Sequence, residues 1–184
     1  MIFKETGLAG AFEIEIDRLE DDRGFFARCF CAREFAERDL VSAFVQSSVS
    51  FNQHAGTLRG MHFQVPPFRE TKLVRCTRGA IWDAIVDLRH GSPTRLKWFG
   101  TELSAGNRRS LYVPEGFAHG FITLEPASEV FYEISEFYTP EAARGLRWND
   151  PAIGIRWPAL PDVIADRDAS YPDLDPASLE EVPS

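Results

Sequence analysis

The stretch Gly56-Thr57-Leu58-Arg59-Gly60-Met61-His62-Phe63-Gln64 sets a guanidinium and an imidazole three positions apart inside a largely apolar run. If the chain is extended after Gly60, side chains alternate faces, and His62 points away from Met61 and Phe63. One face is then apolar and the other chemical. Arginine and histidine are costly to bury without partners, so their entry into a β-enclosed cavity asks for an anionic ligand or an acid–base task. A lone histidine in such a run also fits a hydrogen-bonded structural role, and the decision falls to the rest of the chain.

Outward from this stretch the periodicities are those of strands. Phe12, Ile14 and Ile16 alternate with Glu13, Glu15 and Asp17, and further strands are expected at Phe25–Phe30, Phe44–Phe51, Lys97–Leu103, Ser110–Val113, Ala118–Leu124 and Glu129–Phe137. Lys72–Thr77 and Ala80–Leu88 flank Arg78-Gly79, a hairpin signal. One short helix is expected at Ala32–Leu40, and the proline-rich tail after Trp157 should wrap the surface with little helix. Nothing reads as β-α-β. Many short strands with turns between them predict an all-β sandwich or barrel, and corners at Gly56 and at Pro114-Glu115-Gly116 favour a jelly roll with short peripheral helices.

A length of 184 residues suits one domain spanning 1–184. The net charge of −8 and a pI near 5.0 argue against a nucleic-acid surface, which would show a basic stripe. Met1 to Gly10 holds no apolar signal core, and no apolar run reaches the ~18 residues of a membrane span, so a cytoplasmic protein without a membrane partner is expected. Cys29, Cys31 and Cys76 lack metal-ligand spacing and read as reduced packing residues.

A second constellation follows. Lys72 opens one strand, and Asp83 and Asp87 share a face of the next with Ile85 between them. Singly, each charge reads as solvated rim; together they suggest a pocket. Tyr112–Gly120 adds a corner and His119, and Tyr132 stands in a strand beyond, which neighbouring strands of a closed sheet can bring into one cavity.

The segments Arg23-Gly24-Phe25-Phe26, Leu58–Gln64, Lys72-Leu73-Val74-Arg75, Asp87-Leu88-Arg89, Gly91-Ser92-Pro93-Thr94, Val113–Phe121 and Arg144–Pro151 resemble, in order over nearly the whole chain, the dTDP-4-dehydrorhamnose 3,5-epimerase family. The resemblance implies a cupin-type jelly roll, a homodimer that exchanges N-terminal strands, no cofactor, and epimerisation at C3 and C5 of a nucleotide-linked 4-keto-6-deoxyhexose, foremost dTDP-4-dehydro-6-deoxyglucose, with a CDP- or other nucleotide-linked sugar, or one centre only, as the alternative within the family. It also implies roles. His62 is the base that removes a proton beside the C4 ketone, Asp168 in Ala165-Asp166-Arg167-Asp168 orients it, Lys72 stabilises the enolate, and Tyr132 returns a proton from the opposite ring face. These assignments agree with what such chemistry needs: a base within hydrogen-bond reach, a fixed cation at the developing oxyanion and a carboxylate beside the imidazole. Arg23 and Arg59 resemble the family's diphosphate ligands, as a guanidinium fork suits phosphate oxygens. Phe26, Gln46, Ser48, Asp83, His119 and Arg167 fall at other substrate-binding positions, and Tyr138 matches the aromatic that stacks on the nucleotide base.

Four residues depart from the family pattern, which carries Glu at Arg28, Asn at Ser48, Glu at Ala143 and Lys at Arg167. Arg28 is included among the substrate-binding positions, and a cationic donor there could favour a base other than thymine. Two further classes are weighed against the epimerase. In a metal-dependent cupin, Pro114-x-Gly116-x-x-His119 would be a metal motif, but Gln64 stands where a second ligand is needed, leaving His62 and His119 without a third donor at ligand spacing. A non-catalytic sugar-binding jelly roll would have no use for His62, Lys72 and Tyr132 together.

Overall fold

In the computed structural model, which describes residues 1–174, the alternating segments form two antiparallel sheets. β1 (Ile2–Glu5) pairs with β2 (Phe12–Glu15), while β3 (Arg18–Asp21) and β4 (Gly24–Ala27) pair with each other alone. The helix α1 (Ala32–Ala36) leads into β5 (Gln46–Asn52), β6 (Thr57–Gln64), β7 (Lys72–Arg78), β8 (Ala80–Asp87), β9 (Trp98–Ser104), β10 (Ser110–Val113), β11 (Phe117–Thr123) and β12 (Ser128–Ile134). Two short strands, β13 (Ala143–Gly145) and β14 (Val163–Ile164), and the one-turn helix α2 (Asp166–Ala169) follow. One sheet has the order β1-β2-β10-β7-β12-β5; the other has β13-β6-β11-β8-β9, with β14 added in parallel to β6.

From β5 to β12 the chain changes sheet at each connection except β8 to β9, which makes the expected jelly roll. Gly56 and Pro114-Glu115-Gly116 lie at two of the crossings, both glycines at positive φ. Arg78-Gly79 is a crossing as well, and the hairpin expected there does not form: β7 bonds β10 and β12, whereas β8 bonds β11 and β9. A tight turn signal does not distinguish the two connections. Ser128 decides this one, since its side chain fills the space beside Gly79 and its hydroxyl bonds the backbone N–H and C=O of Ala80, holding the start of β8 away from β7.

Other differences are local. The expected strand Phe25–Phe30 stops at Ala27, and the helix expected over Ala32–Leu40 ends at Ala36, where the chain turns through Asp39 at positive φ. The strand expected to reach Phe137 ends at Ile134, because the next loop is tied to Gln64 by the Phe137 carbonyl and the Thr139 N–H. β1, β3, β13, β14 and α2 carry too little periodicity to be seen in sequence. The tail expected to wrap the surface does so up to Leu174; its remainder, 175–184, lies outside the described residues.

Three apolar clusters hold the layers together. Val74, Cys76, Leu111, Val113 and Val130 of one sheet meet Ile81, Ile85, Leu103, Phe117 and Phe121 of the other and fill one end of the barrel. Phe35 of α1 packs with Ile14, Leu73 and Tyr112 on the outer face of the first sheet. Trp157, Leu146 and Ile153 cover Met61, Ala84, Val86 and Ala118 on the outer face of the second. Burial of the second sheet on both faces around β8 explains why six of that strand's eight residues are apolar.

Candidate active site

The opposite end of the barrel holds a cavity of about 370 Å³ lined from both sheets, a size suited to a small-molecule ligand. β6 and β11 supply Arg59, His62, His119 and Phe121; β5, β7 and β12 supply Gln46, Ser48, Lys72, Tyr132 and Ile134. Arg59 and His62 would lie on opposite faces of a regular strand. They share this cavity because β6 carries an extra residue: His119 faces His62 and Phe121 faces Arg59, three steps on β6 against two on β11. Gly60 sits in the bulge at φ +118, and a Cβ there would lie 2.7 Å from the Gly120 Cα and 2.8 Å from the His119 carbonyl oxygen. Two glycines thus let the strands cross closely where the chemistry is placed.

His62 Nε2 lies 2.7 Å from Asp168 Oδ1, and Asp168 Oδ2 accepts the Gly60 N–H at 3.0 Å. Burial opposes ionisation of Asp168, but its bonds to His62 and the Gly60 N–H prevail and hold the carboxyl below the usual aspartate range. An ionised partner fixes the ring with its proton on Nε2 and leaves Nδ1 to accept one. The His62 side chain is 41% exposed and its partner 7%, so the ring faces the cavity with its carboxylate behind it. A second pair, His119 Nε2 to Asp83 Oδ1 at 2.6 Å, lies deeper.

Tyr132 packs edge-on to His119, with centroids 5.9 Å apart, on the sheet opposite His62. Burial, reinforced by the Asp83 carboxylate, pushes its phenol well above the ordinary tyrosine value, so it holds its proton at neutral pH. Lys72 pairs with Glu70 at 2.8 Å, and Arg59 donates from Nε to Asn52 Oδ1 at 2.7 Å. Arg167 donates from Nε to the Tyr171 hydroxyl at 2.7 Å, a bond that holds its guanidinium firmly charged.

Of the residues singled out in the sequence, His62, Lys72, Tyr132, Gln46, Ser48, Arg59, His119, Tyr138 and Arg167 line the cavity, and Asp168 stands directly behind His62. Ala143 lines it too. Asp83 and Asp87 do not form the expected pocket face. Both are fully buried; Asp83 backs His119, and Asp87 binds Arg89, Ser92 and Thr94 at a corner of the barrel. Arg23, Phe26 and Arg28 also lie away from the cavity of their own chain: Arg23 pairs with Asp21, Phe26 is 73% exposed, and Arg28 pairs with Glu34 at 3.1 Å. Sequence reasoning missed Glu70, Asn52 and Tyr171, which stand in no motif. It read Gln64 only as a missing metal ligand, whereas its amide anchors the loops around the cavity, donating to the Phe68 and Phe137 carbonyls and accepting from the Thr139 N–H. Among the described residues no three His, Cys, Asp or Glu side chains converge as metal ligands.

A jelly roll whose open end sets an oriented imidazole and a protonated phenol on facing walls, among several cations, has the architecture of a cupin-like enzyme. The sequence profile of dTDP-4-dehydrorhamnose 3,5-epimerase matches residues 5–176. The chain is 43% identical over 175 residues to the dTDP-4-dehydrorhamnose 3,5-epimerase of Sinorhizobium fredii, covering 95% of this chain and 90% of that one. The crystal structure of the Bacillus anthracis enzyme of that name, with TDP and PPi bound, superposes with a TM-score of 0.89 at 42% identity, covering 94% of this chain and 99% of that one. The Legionella pneumophila dTDP-6-deoxy-D-glucose-3,5-epimerase, in complex with dTDP-4-keto-L-rhamnose, gives 0.87 at 34% identity, covering 97% and 96%. This chain belongs to the dTDP-4-dehydrorhamnose 3,5-epimerase family.

Proposed function

We propose that this protein inverts C3 and C5 of dTDP-4-dehydro-6-deoxyglucose to give dTDP-4-dehydrorhamnose. His62, oriented by Asp168, takes the proton from the carbon beside the ketone; the electrons of that C–H bond move onto the C4 oxygen as an enolate, and Lys72 neutralises it. Tyr132 then gives its proton to the opposite face of the same carbon. Solvent restores the phenol proton and removes the one held by His62, so no redox change occurs. The observation that carries this reading is the placement of His62 and Tyr132 on opposite walls of one cavity, the base with an ionised partner and the acid with its proton held by burial. It is tested by incubating dTDP- and CDP-linked 4-keto-6-deoxyglucose in D₂O and following deuterium by NMR. Uptake at C3 and C5 of the dTDP sugar with inversion is expected, and His62→Ala should slow it by about 10²-fold or more. Uptake at one carbon, or from the CDP sugar alone, overturns the assignment.

The active unit in this reading is a homodimer that exchanges its N-terminal strands. The isolated β3–β4 hairpin supports it, because Arg23 and Phe26 stand exposed there and touch no wall of their own cavity. Mixing His62→Ala with Arg23→Ala chains, each nearly inactive alone, should restore one intact site per heterodimer. Mixtures no more active than either parent would show that Arg23 serves no partner's site.

A further inference from the structure

Tyr171 has no part in the proton transfers above, yet three contacts converge on it. Its ring stands edge-on to His62, with centroids 6.5 Å apart and planes at 74°. It occupies the space that a Cβ on Gly145 would need, and Gly145 is the residue that pairs with His62 across the β13–β6 ladder. Its hydroxyl accepts the Nε–H of Arg167, which lines the cavity four positions earlier. The side chain therefore fills a notch between β13 and the end of α2, outside the His62–Asp168 pair, and grips a cavity cation by one edge.

We infer that Tyr171 is a positioning residue for substrate binding, holding Arg167 by Nε so that those N–H donors not shared with Tyr138 are presented to the diphosphate. This deepens the proposed function and rests on its diphosphate-bearing substrate. An arginine is suited to such sharing, because its five N–H donors lie in one rigid plane; fixing one edge orients the rest, and less freedom is lost when phosphate oxygens are bound. A lysine offers no second edge to hold. The ring contact with Gly145 makes the anchor rigid in turn, because Tyr171 cannot move inward without meeting β13.

The test is a double-mutant cycle between Tyr171→Phe and Arg167→Ala, read as KM and kcat for the dTDP sugar and as the Kd for dTDP alone. Tyr171→Phe keeps the ring in its notch and removes only the acceptor. It should raise KM and the dTDP Kd by about three- to tenfold, the net worth of one ordinary hydrogen bond, with kcat within about twofold. In the Arg167→Ala background the same change should do nothing. Equal effects in both backgrounds, or a fall in kcat with KM unchanged, would assign the hydroxyl a merely structural role and overturn the inference. Should Tyr171→Phe lower the melting temperature, Arg167→Lys in the parent chain replaces it, and it should weaken dTDP binding comparably. A parent protein that neither binds dTDP nor turns over the sugar would refute the proposed function instead, so the two failures are distinct.

Discussion

Asp168 gives one oxygen to an imidazole and the other to a backbone amide. The backbone bond keeps the carboxylate from rotating away from a neutral His62, and in the proposed mechanism the imidazole bond means that a proton taken from substrate is met by a charge already in place. In the proposed mechanism Tyr132 meets the complementary requirement, a phenol that burial and the Asp83 carboxylate keep protonated until a carbanion is there to receive it. These two requirements predict a separable defect. Tyr132→Phe preserves the ring against His119 but removes the far-face acid, so His62 can still withdraw and return a proton on its own side. Deuterium exchange into the sugar should then outlast inversion, and NMR of the mixed products in D₂O reads both; full epimerisation by the variant would remove Tyr132 as the acid. Arg59, His62 and Lys72 were legible because charged groups in apolar strands demand an explanation. Asp168 was not legible in that way, since it lies 106 positions from His62 in a polar tail and only family resemblance pointed to it. Glu70 and Tyr171 gave no signal, because their partners are set by tertiary approach.

At the scale of the element, the extra residue in β6 decides which side chains meet. Strict alternation predicts that Arg59 and His62 face apart, and the sequence offers Gly60 as the single hint that it fails. Gly60→Ala would place a methyl against the Gly120 Cα and the His119 carbonyl in a backbone region reserved for glycine. A loss of about 1–3 kcal/mol is expected, with activity falling further than stability because Arg59 and His62 would no longer share a face. Thermal unfolding together with kcat/KM checks this, and a variant equal to the parent in both would show that the bulge does not set the site. The same scale explains the misread hairpin. Arg78-Gly79 states only that the chain reverses; Ser128, 49 positions beyond Gly79, determines that β8 joins the other sheet.

Across the whole molecule, the jelly roll is dry at one end and polar at the other, and one of its corners is ionic. Asp87 is fully buried at that corner. Burial works against its charge, but bonds from Arg89, Ser92 and Thr94 outweigh it and hold the carboxyl below the ordinary value of 3.8. A depressed native pKa means that the unfolded chain binds the proton more readily as acid is added. The stabilisation is therefore complete above the unfolded value and is lost as pH falls through the native one. Asp87→Asn should lower the urea midpoint at pH 7 and flatten its decline between roughly pH 5 and pH 2; curves that run parallel to the parent's would show that the corner does not contribute. The fold class was legible at this scale because alternation, turns and the lack of helices all agree. The division into two ends was not, since it depends on which of two sheets each strand enters.

The edge of β6 is covered by β13 at one end and by β14 at the other, and the carboxylate of Asp168 supplies the rung at Gly60 between them. Ribosomal synthesis delivers Arg59, His62 and Lys72 well before it delivers this rung, which arrives together with Arg167. Seating of α2 therefore completes both the β6 edge and the His62–Asp168 pair, and it leaves a mark on the backbone. The Gly60 amide should exchange with solvent quickly until α2 seats and slowly afterwards, which makes one backbone hydrogen a clock for the moment His62 acquires its carboxylate.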